Sequence, residues 1–168
     1  MAAVCTNVEF ATDLDAVEIA ELSRQHIEYD LGWKYKPSRI RESIRDRSKN
    51  VVVARDDRAL AGFGIMTYQD DHANLDLLAV KSAYRRRGVG KQVVLWLEQV
   101  ALTAGITNVF VQVRKTNLGA IGFYETLGYH VVDVATGYYQ RRESAVFMCK
   151  GIGRMIGSVQ RFDEKGCQ

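Results

Sequence analysis

The sequence predicts a mixed α/β fold in which one sheet carries helices on its faces. Three observations predict it. Runs rich in β-branched residues, broken by turn-forming residues, occupy positions 50–81. From Val89 the apolar spacing changes to that of a helix. Strand and helix patterns then alternate as far as position 150.

Element by element, Thr12 and Asp15 stand at capping-box spacing, with Asp in place of Glu, ahead of an imperfect helical stripe of Leu14, Val17, Leu22 and Ile27. A first helix over about Asp13 to Tyr29 is predicted. Ser38 is the expected cap of a second, short helix that carries Ile40 and Ile44 on one face and charge on the other, ending near Lys49. Asn50 to Arg55, Ala59 to Tyr68 and Ala73 to Lys81 read as an antiparallel meander, with turns at Asp56-Asp57-Arg58 and Gln69-Asp70-Asp71-His72. Val89 to Ala104 is a helix closed by Gly105, and Asn117 to Leu127 a helix closed by Gly128. Val109 to Arg114, Tyr129 to Ala135 and Ser144 to Lys150 complete the strands.

The 168 residues fit one domain, taken as 1–150, followed by a tail, 151–168, with no clear period. The single proline and the lack of a Ser/Gly-rich stretch leave no linker. The first residues lack the apolar core of a signal peptide, and no apolar run approaches membrane-spanning length. Cys5, Cys149 and Cys167 are odd in number and widely spaced, so the expectation is free thiols in a reducing cytoplasm. His26, His72 and His130 lack neighbours at metal-ligand spacing, and no metal site is predicted. The net charge of +3 is too small to argue for nucleic acid, although Arg85-Arg86-Arg87 is a local exception.

That exception carries the chemistry. Arg85-Arg86-Arg87-Gly88-Val89-Gly90-Lys91 lies between a strand and a helix, where backbone amides at the helix N-terminus suit an anion. Three adjacent arginines at the positive end of a helix dipole repel one another unless a polyanion joins them. Spacing alone leaves two readings open, a diphosphate cradle or a solvated basic turn. A Walker A loop is excluded, because Arg85 stands where it needs glycine and Gln92 where it needs Ser or Thr. A dinucleotide fingerprint is excluded by Val93 at its third glycine.

Arg85-x-x-Gly88-x-Gly90, after the strand Leu75–Val80, resembles the acetyl-CoA motif of the GNAT superfamily of N-acetyltransferases. Val113-Arg114-Lys115-Thr116-Asn117, then Ala120-Ile121 and Phe123-Tyr124-Glu125-Thr126-Leu127-Gly128-Tyr129, is similar to that family's second motif. Two ordered motifs at the family's separation are far more specific than either alone. Gly137-Tyr138-Tyr139-Gln140-Arg141-Arg142-Glu143-Ser144-Ala145 resembles the ribosomal-protein-alanine N-acetyltransferase group in particular, and Trp33 resembles it more faintly. The resemblance implies a mixed, mostly antiparallel sheet of six to seven strands, splayed between the fourth and fifth, with about four helices. It implies acetyl-CoA as donor and an amine as acceptor, in a monomer or homodimer.

It also implies residue roles. Leu78, Ala79 and Val80 would meet the pantetheine arm, and an amide near Leu78 would hold the carbonyl oxygen as it becomes an oxyanion. Arg85, Arg86, Arg87, Gly88, Val89, Gly90 and Lys91 would hold the diphosphate, and Asn117 would contact the arm near its sulfur. Tyr124 would give a proton to the departing thiolate, whereas spacing alone makes it a packed helix tyrosine between Ile121 and Leu127. The look-alike group has Glu as base where this chain has Gln112, which cannot take a proton. Asp76 is the candidate replacement, with Gln112 positioning the acceptor or a water; a surface carboxylate paired with Lys or Arg is the alternative reading of Asp76. Trp33, Tyr138, Tyr139 and the residues between Tyr29 and Pro37 would line the acceptor mouth.

A weak base favours an α-amine. Deprotonating a lysine of pKa about 10.4 costs roughly 4–5 kcal/mol at neutral pH, against about 1 kcal/mol for an α-amine near pKa 8. The competing expectations are an acetyltransferase of small amines (polyamine, aminoglycoside or amino acid), a non-catalytic acyl-CoA-binding module, and a nucleic-acid module built on Arg85 to Arg87.

Overall fold

Thr12 and Asp15 do form the reciprocal contacts of a capping box. In the computed structural model, which describes residues 6–139 and 143–153, the Thr12 N–H and hydroxyl both donate to the Asp15 carboxylate, at 2.8 and 3.0 Å. They cap a 3-10 turn, Asp13–Asp15, and α1 (Ala16–His26) follows it, shorter at both ends than the apolar stripe suggested. Pro37, not Ser38, opens the second helix, α2 (Pro37–Arg45), with Lys36 at the cap position. Proline suits the first helical position because its φ is preset and it has no N–H to leave unpaired.

The chain forms two compact units. The first comprises residues up to Tyr68 together with Leu75–Val100, and the second comprises Gln69–Asn74 with the residues from Ala101 onward. In the first, β1 (Asn7–Phe10), β2 (Lys49–Asp56), β3 (Ala59–Tyr68) and β4 (His72–Val80) follow one another in strand order, with β1–β2 and β2–β3 antiparallel. α1 and α2 cover one face through Ile19, Leu22 and Ile40 against Val51, Val53, Phe63 and Ile65. Val52 lies directly across from Gly64. There α3 (Val89–Thr103) presses so close that a Cβ on Gly64 would stand 2.7 Å from Val93 Cγ1 and 3.0 Å from Leu97 Cδ1. The absent side chain sets the helix-to-sheet distance.

β1 has no counterpart in the sequence reading. Four residues are too few to show a period, and an ion-paired triad holds them: Arg55 of β2 reaches Glu9 of β1 at 2.6 Å and the buried Asp15 at 2.6 Å. Arg55 pushes the Asp15 carboxyl below the usual range together with the Thr12 contacts, which outweigh the opposing and largest single effect, burial.

In the second unit β5 (Asn108–Arg114), β7 (Glu143–Gly151) and β6 (His130–Tyr139) lie side by side and antiparallel. α4 (Leu118–Thr126) sits between β5 and β6 in sequence. Gly105 and Gly128 end α3 and α4 at φ 88° and 92°, as their positions suggested. β6 runs further than expected: Tyr138 and Tyr139 belong to it and not to a loop, because Tyr139 pairs with Glu143 of β7 after a register shift beyond Ala135. The seven strands and four α-helices are those of the predicted mixed α/β class. Most of the tail, 154–168, along with Cys5, Cys167 and 140–142, lies outside the described residues. Among the described helices none is long and apolar enough to cross a membrane.

Candidate active site

The basic turn is built by backbone conformation. β4 ends at Val80, a single 3-10 turn (Ser82–Tyr84) follows, Arg85 is extended, and Arg86 and Gly88 both take left-handed backbone, at φ 58° and 86°. Left-handed residues next to a helix start favour a concavity of successive N–H groups, and the first amides of a helix such as α3 lack helical partners. Arg86 adopts this conformation without glycine's freedom, at a strain of about 1 kcal/mol. Arg86 and Lys91 are exposed, and the Arg87 guanidinium lies 5.9 Å from the Tyr84 ring. Arg85 is engaged elsewhere: it donates to Val80 O at 3.2 Å and contacts His26 Nδ1 at 2.9 Å, tying the turn to the end of α1. Lys81 makes a second tie to α1 through Glu18.

Along β4, Leu78 and Val80 share the less buried parity with Asp76, and Ala79 is buried. A Cβ on Gly62 would meet Ala79 O at 2.8 Å, so β3 and β4 approach closely there only because the position is glycine. The Asp76 carboxylate accepts a hydrogen bond from Thr67, the cross-strand partner of Lys49. Asp76 keeps solvent-accessible surface, yet the protein crowding its carboxyl removes enough water to push its pKa up, against the opposing pull of Thr67, Lys49 and Arg39. Lys49 and Arg39 lie near enough to act on it through space. Tyr35 shares these surroundings: its phenol is raised first by burial, then by Asp76, with Arg39 opposing.

Tyr35 is placed by a residue that sequence reasoning missed. The buried Glu28, just past α1, accepts from Ser23 Oγ at 3.1 Å, from the Lys34 N–H at 2.7 Å and from the Tyr35 N–H at 3.2 Å. One carboxylate thus folds the α1–α2 loop back on α1. No spacing rule announces it, since its partners depend on how the loop returns. The Arg39 guanidinium then lies 5.0 Å from the Tyr35 ring. Trp33 packs against the core with Arg24 5.2 Å from its ring, and its indole N–H is buried without a partner among the described residues.

In the second unit Gln112 is exposed on β5 and lies across from Phe147 of β7, whose ring meets that of Tyr138 edge-on at 5.4 Å. The structure therefore brings two of the predicted residues, Gln112 and Tyr138, to one neighbourhood through Phe147. The Tyr139 side chain lies outside the described residues. Asn117 caps α4, its Oδ1 accepting from the Ala120 N–H at 3.1 Å, which leaves the amide NH2 as its outward donor. Tyr124, in the last turn of α4, is 5% exposed and packs edge-on against Phe123 and Tyr129. Burial pushes its phenol far above the usual tyrosine range. The near match of phenol and thiol pKa values expected from ordinary values is therefore not kept, which makes the buried phenol a weaker acid toward a thiolate.

The model of the acetyltransferase (GNAT) family matches residues 15–129, and the chain belongs to that family. It is 33% identical over 106 residues, 61% of this chain and 71% of the other, to the [ribosomal protein bS18]-alanine N-acetyltransferase of Salmonella typhimurium. The crystal structure of the ribosomal-protein-S18-alanine N-acetyltransferase from Escherichia coli has the same fold, with a TM-score of 0.75, 22% identity, and coverage of 94% of this chain and 99% of that one. So has PaiA N-acetyltransferase from Thermoplasma acidophilum in complex with coenzyme A, with a TM-score of 0.75, 21% identity, and coverage of 87% and 98%.

Proposed function

We propose that the protein moves the acetyl group of acetyl-CoA to the α-amine of a protein or peptide N-terminus, by direct attack in a ternary complex. The observation that carries the reading is Asp76, a carboxyl with access to solvent on the same face of β4 as Leu78, held by a hydrogen bond from Thr67. Such a group takes a proton from an incoming α-ammonium of pKa near 8 at a cost about 3 kcal/mol lower than from a lysine of pKa about 10.4. Gln112 orients the acceptor or a water.

The amine nitrogen then attacks the thioester carbonyl, with the oxyanion held by backbone amide near Leu78. As the C–S bond breaks, Tyr124 gives its proton to the thiolate and regains one from the new amide nitrogen through water; Asp76 returns its proton to solvent. The amides and cations of Arg86 to Lys91 hold the diphosphate, and Asn117 the pantetheine arm. The structure of the turn and the coenzyme A bound by a protein of the same fold support this part of the reading.

The test is acetylation of a panel of free peptides beginning with Ala, Ser or Met, α-blocked lysine peptides, spermidine and an aminoglycoside, read by mass spectrometry. Acetylation at peptide α-amines is the expected result. Faster transfer to lysine side chains or small polyamines contradicts it. Tyr124→Phe is expected to lower kcat by about 100-fold while acetyl-CoA affinity stays within two-fold; equal turnover removes Tyr124 from the reaction.

A further inference from the structure

The stretch from Lys34 to Lys49 holds seven lysines and arginines against Glu42 and Asp46, in a chain whose overall net charge is only +3. Helix amphipathicity does not require this excess. Internal pairing removes part of it, since Arg45 pairs with Asp13 and Lys49 with Asp46. Lys34 and Lys36, both exposed, form no ion pair among the described residues. They flank Tyr35, whose backbone Glu28 fixes, so the loop presents them on a held frame. Arg39 lies on the Tyr35 ring, and Arg39 and Lys49 both act on Asp76 through space. Asp76 thus lies within reach of two of the basic residues of this stretch.

We infer that the acceptor is a peptide N-terminus followed within its first few residues by acidic side chains, which pair with Lys34, Lys36 and Arg39 while the α-amine reaches Asp76. This rests on the α-amine reading above and narrows it. A polyamine or aminoglycoside would bring several positive charges to a stretch in which basic residues outnumber acidic ones, whereas an acidic peptide satisfies both signs. Single-stranded RNA would also be drawn to the charge, but the aromatic faces it needs are taken: Arg24 covers Trp33 and Arg39 covers Tyr35.

The experiment compares kcat/KM for three Ala-initiated peptides that differ at positions two to five, being acidic, neutral or basic there, at low and at high salt. The acidic peptide is expected to exceed the basic one by about ten-fold at low salt, narrowing to about three-fold or less at high salt. In the double variant Lys34→Glu/Lys36→Glu the ratio should fall to about one or invert, with acetyl-CoA affinity by calorimetry unchanged. Equal rates for the three peptides, or a basic preference, overturn the inference and leave the α-amine reading standing. Transfer to spermidine with no peptide acetylated overturns both. A uridine oligonucleotide that binds, competes with the peptide and is lost in the double variant also overturns it.

Discussion

The turn that opens α3 and the loop between α1 and α2 lie in the same unit and are built in opposite ways. The turn from Lys81 to Lys91 is a backbone object: a 3-10 turn, two left-handed residues and the start of a helix aim its amides whatever its side chains do. The loop from Glu28 to Pro37 is a side-chain object, with no regular structure, folded back by one buried carboxylate that reaches three residues of the chain. The first kind of site is written in local sequence and the second in a contact that exists only after folding. Damage to each should therefore show in different measurements.

The largest effect is expected at Glu28. Glu28→Ala leaves two backbone N–H groups and a hydroxyl without their acceptor, and should cost about 3 kcal/mol in denaturant unfolding. Acceptor KM should rise about ten-fold or more while acetyl-CoA affinity holds; a fall in both affinities would mean that the loop and the turn are not separable. Gly88→Ala is the converse. A side chain at φ 86° costs about 1–2 kcal/mol, so acetyl-CoA binding should weaken about ten-fold with acceptor KM unchanged. Its neighbourhood is otherwise open, the nearest atom to a new Cβ being Gln92 Nε2 at 3.9 Å, so strain and not a clash is what the variant reads.

Asp76 sharpens the comparison through pH. Its raised pKa means that its ionised form is disfavoured in the fold, so its contribution to stability is present at acid pH and lost as pH rises through that raised value. Asp76→Asn should accordingly raise Tm at neutral pH and leave it unchanged near pH 3. The same substitution should remove an acidic limb of kcat/KM lying above the ordinary carboxylate range. The smallest effect concerns His26, which contacts the turn's Arg85. Burial first, and Arg85 second, hold its pKa below the usual 6.5. The stability this gives is complete above pH 6.5 and is lost as pH falls through the lowered folded-state value, a small Tm loss that His26→Gln should abolish.

What was legible in the sequence follows the same division. Arg85-x-x-Gly88-x-Gly90 and the helix-ending Gly105 and Gly128 could be read because each encodes a backbone conformation within a few residues. The strands of the meander were legible from alternation, and Asp76 from its parity on β4. β1 was not, because Asn7 to Phe10 is too short for a period and is held by Arg55 of the neighbouring strand, distant in sequence. The strand character of Tyr138 and Tyr139 was hidden because β7 imposes it through pairing. Pro37 was a readable helix opener that the polar Ser38 beside it obscured. Glu28 looked like any charged residue at a helix end, and only its burial distinguishes it.

The claim on which the others depend is that the turn opening α3 grips the donor's diphosphate through its main chain. A crystal structure with coenzyme A tests it most directly. The account predicts diphosphate oxygens within about 3 Å of backbone nitrogens between Arg86 and Lys91; a nucleotide bound away from that turn would contradict it.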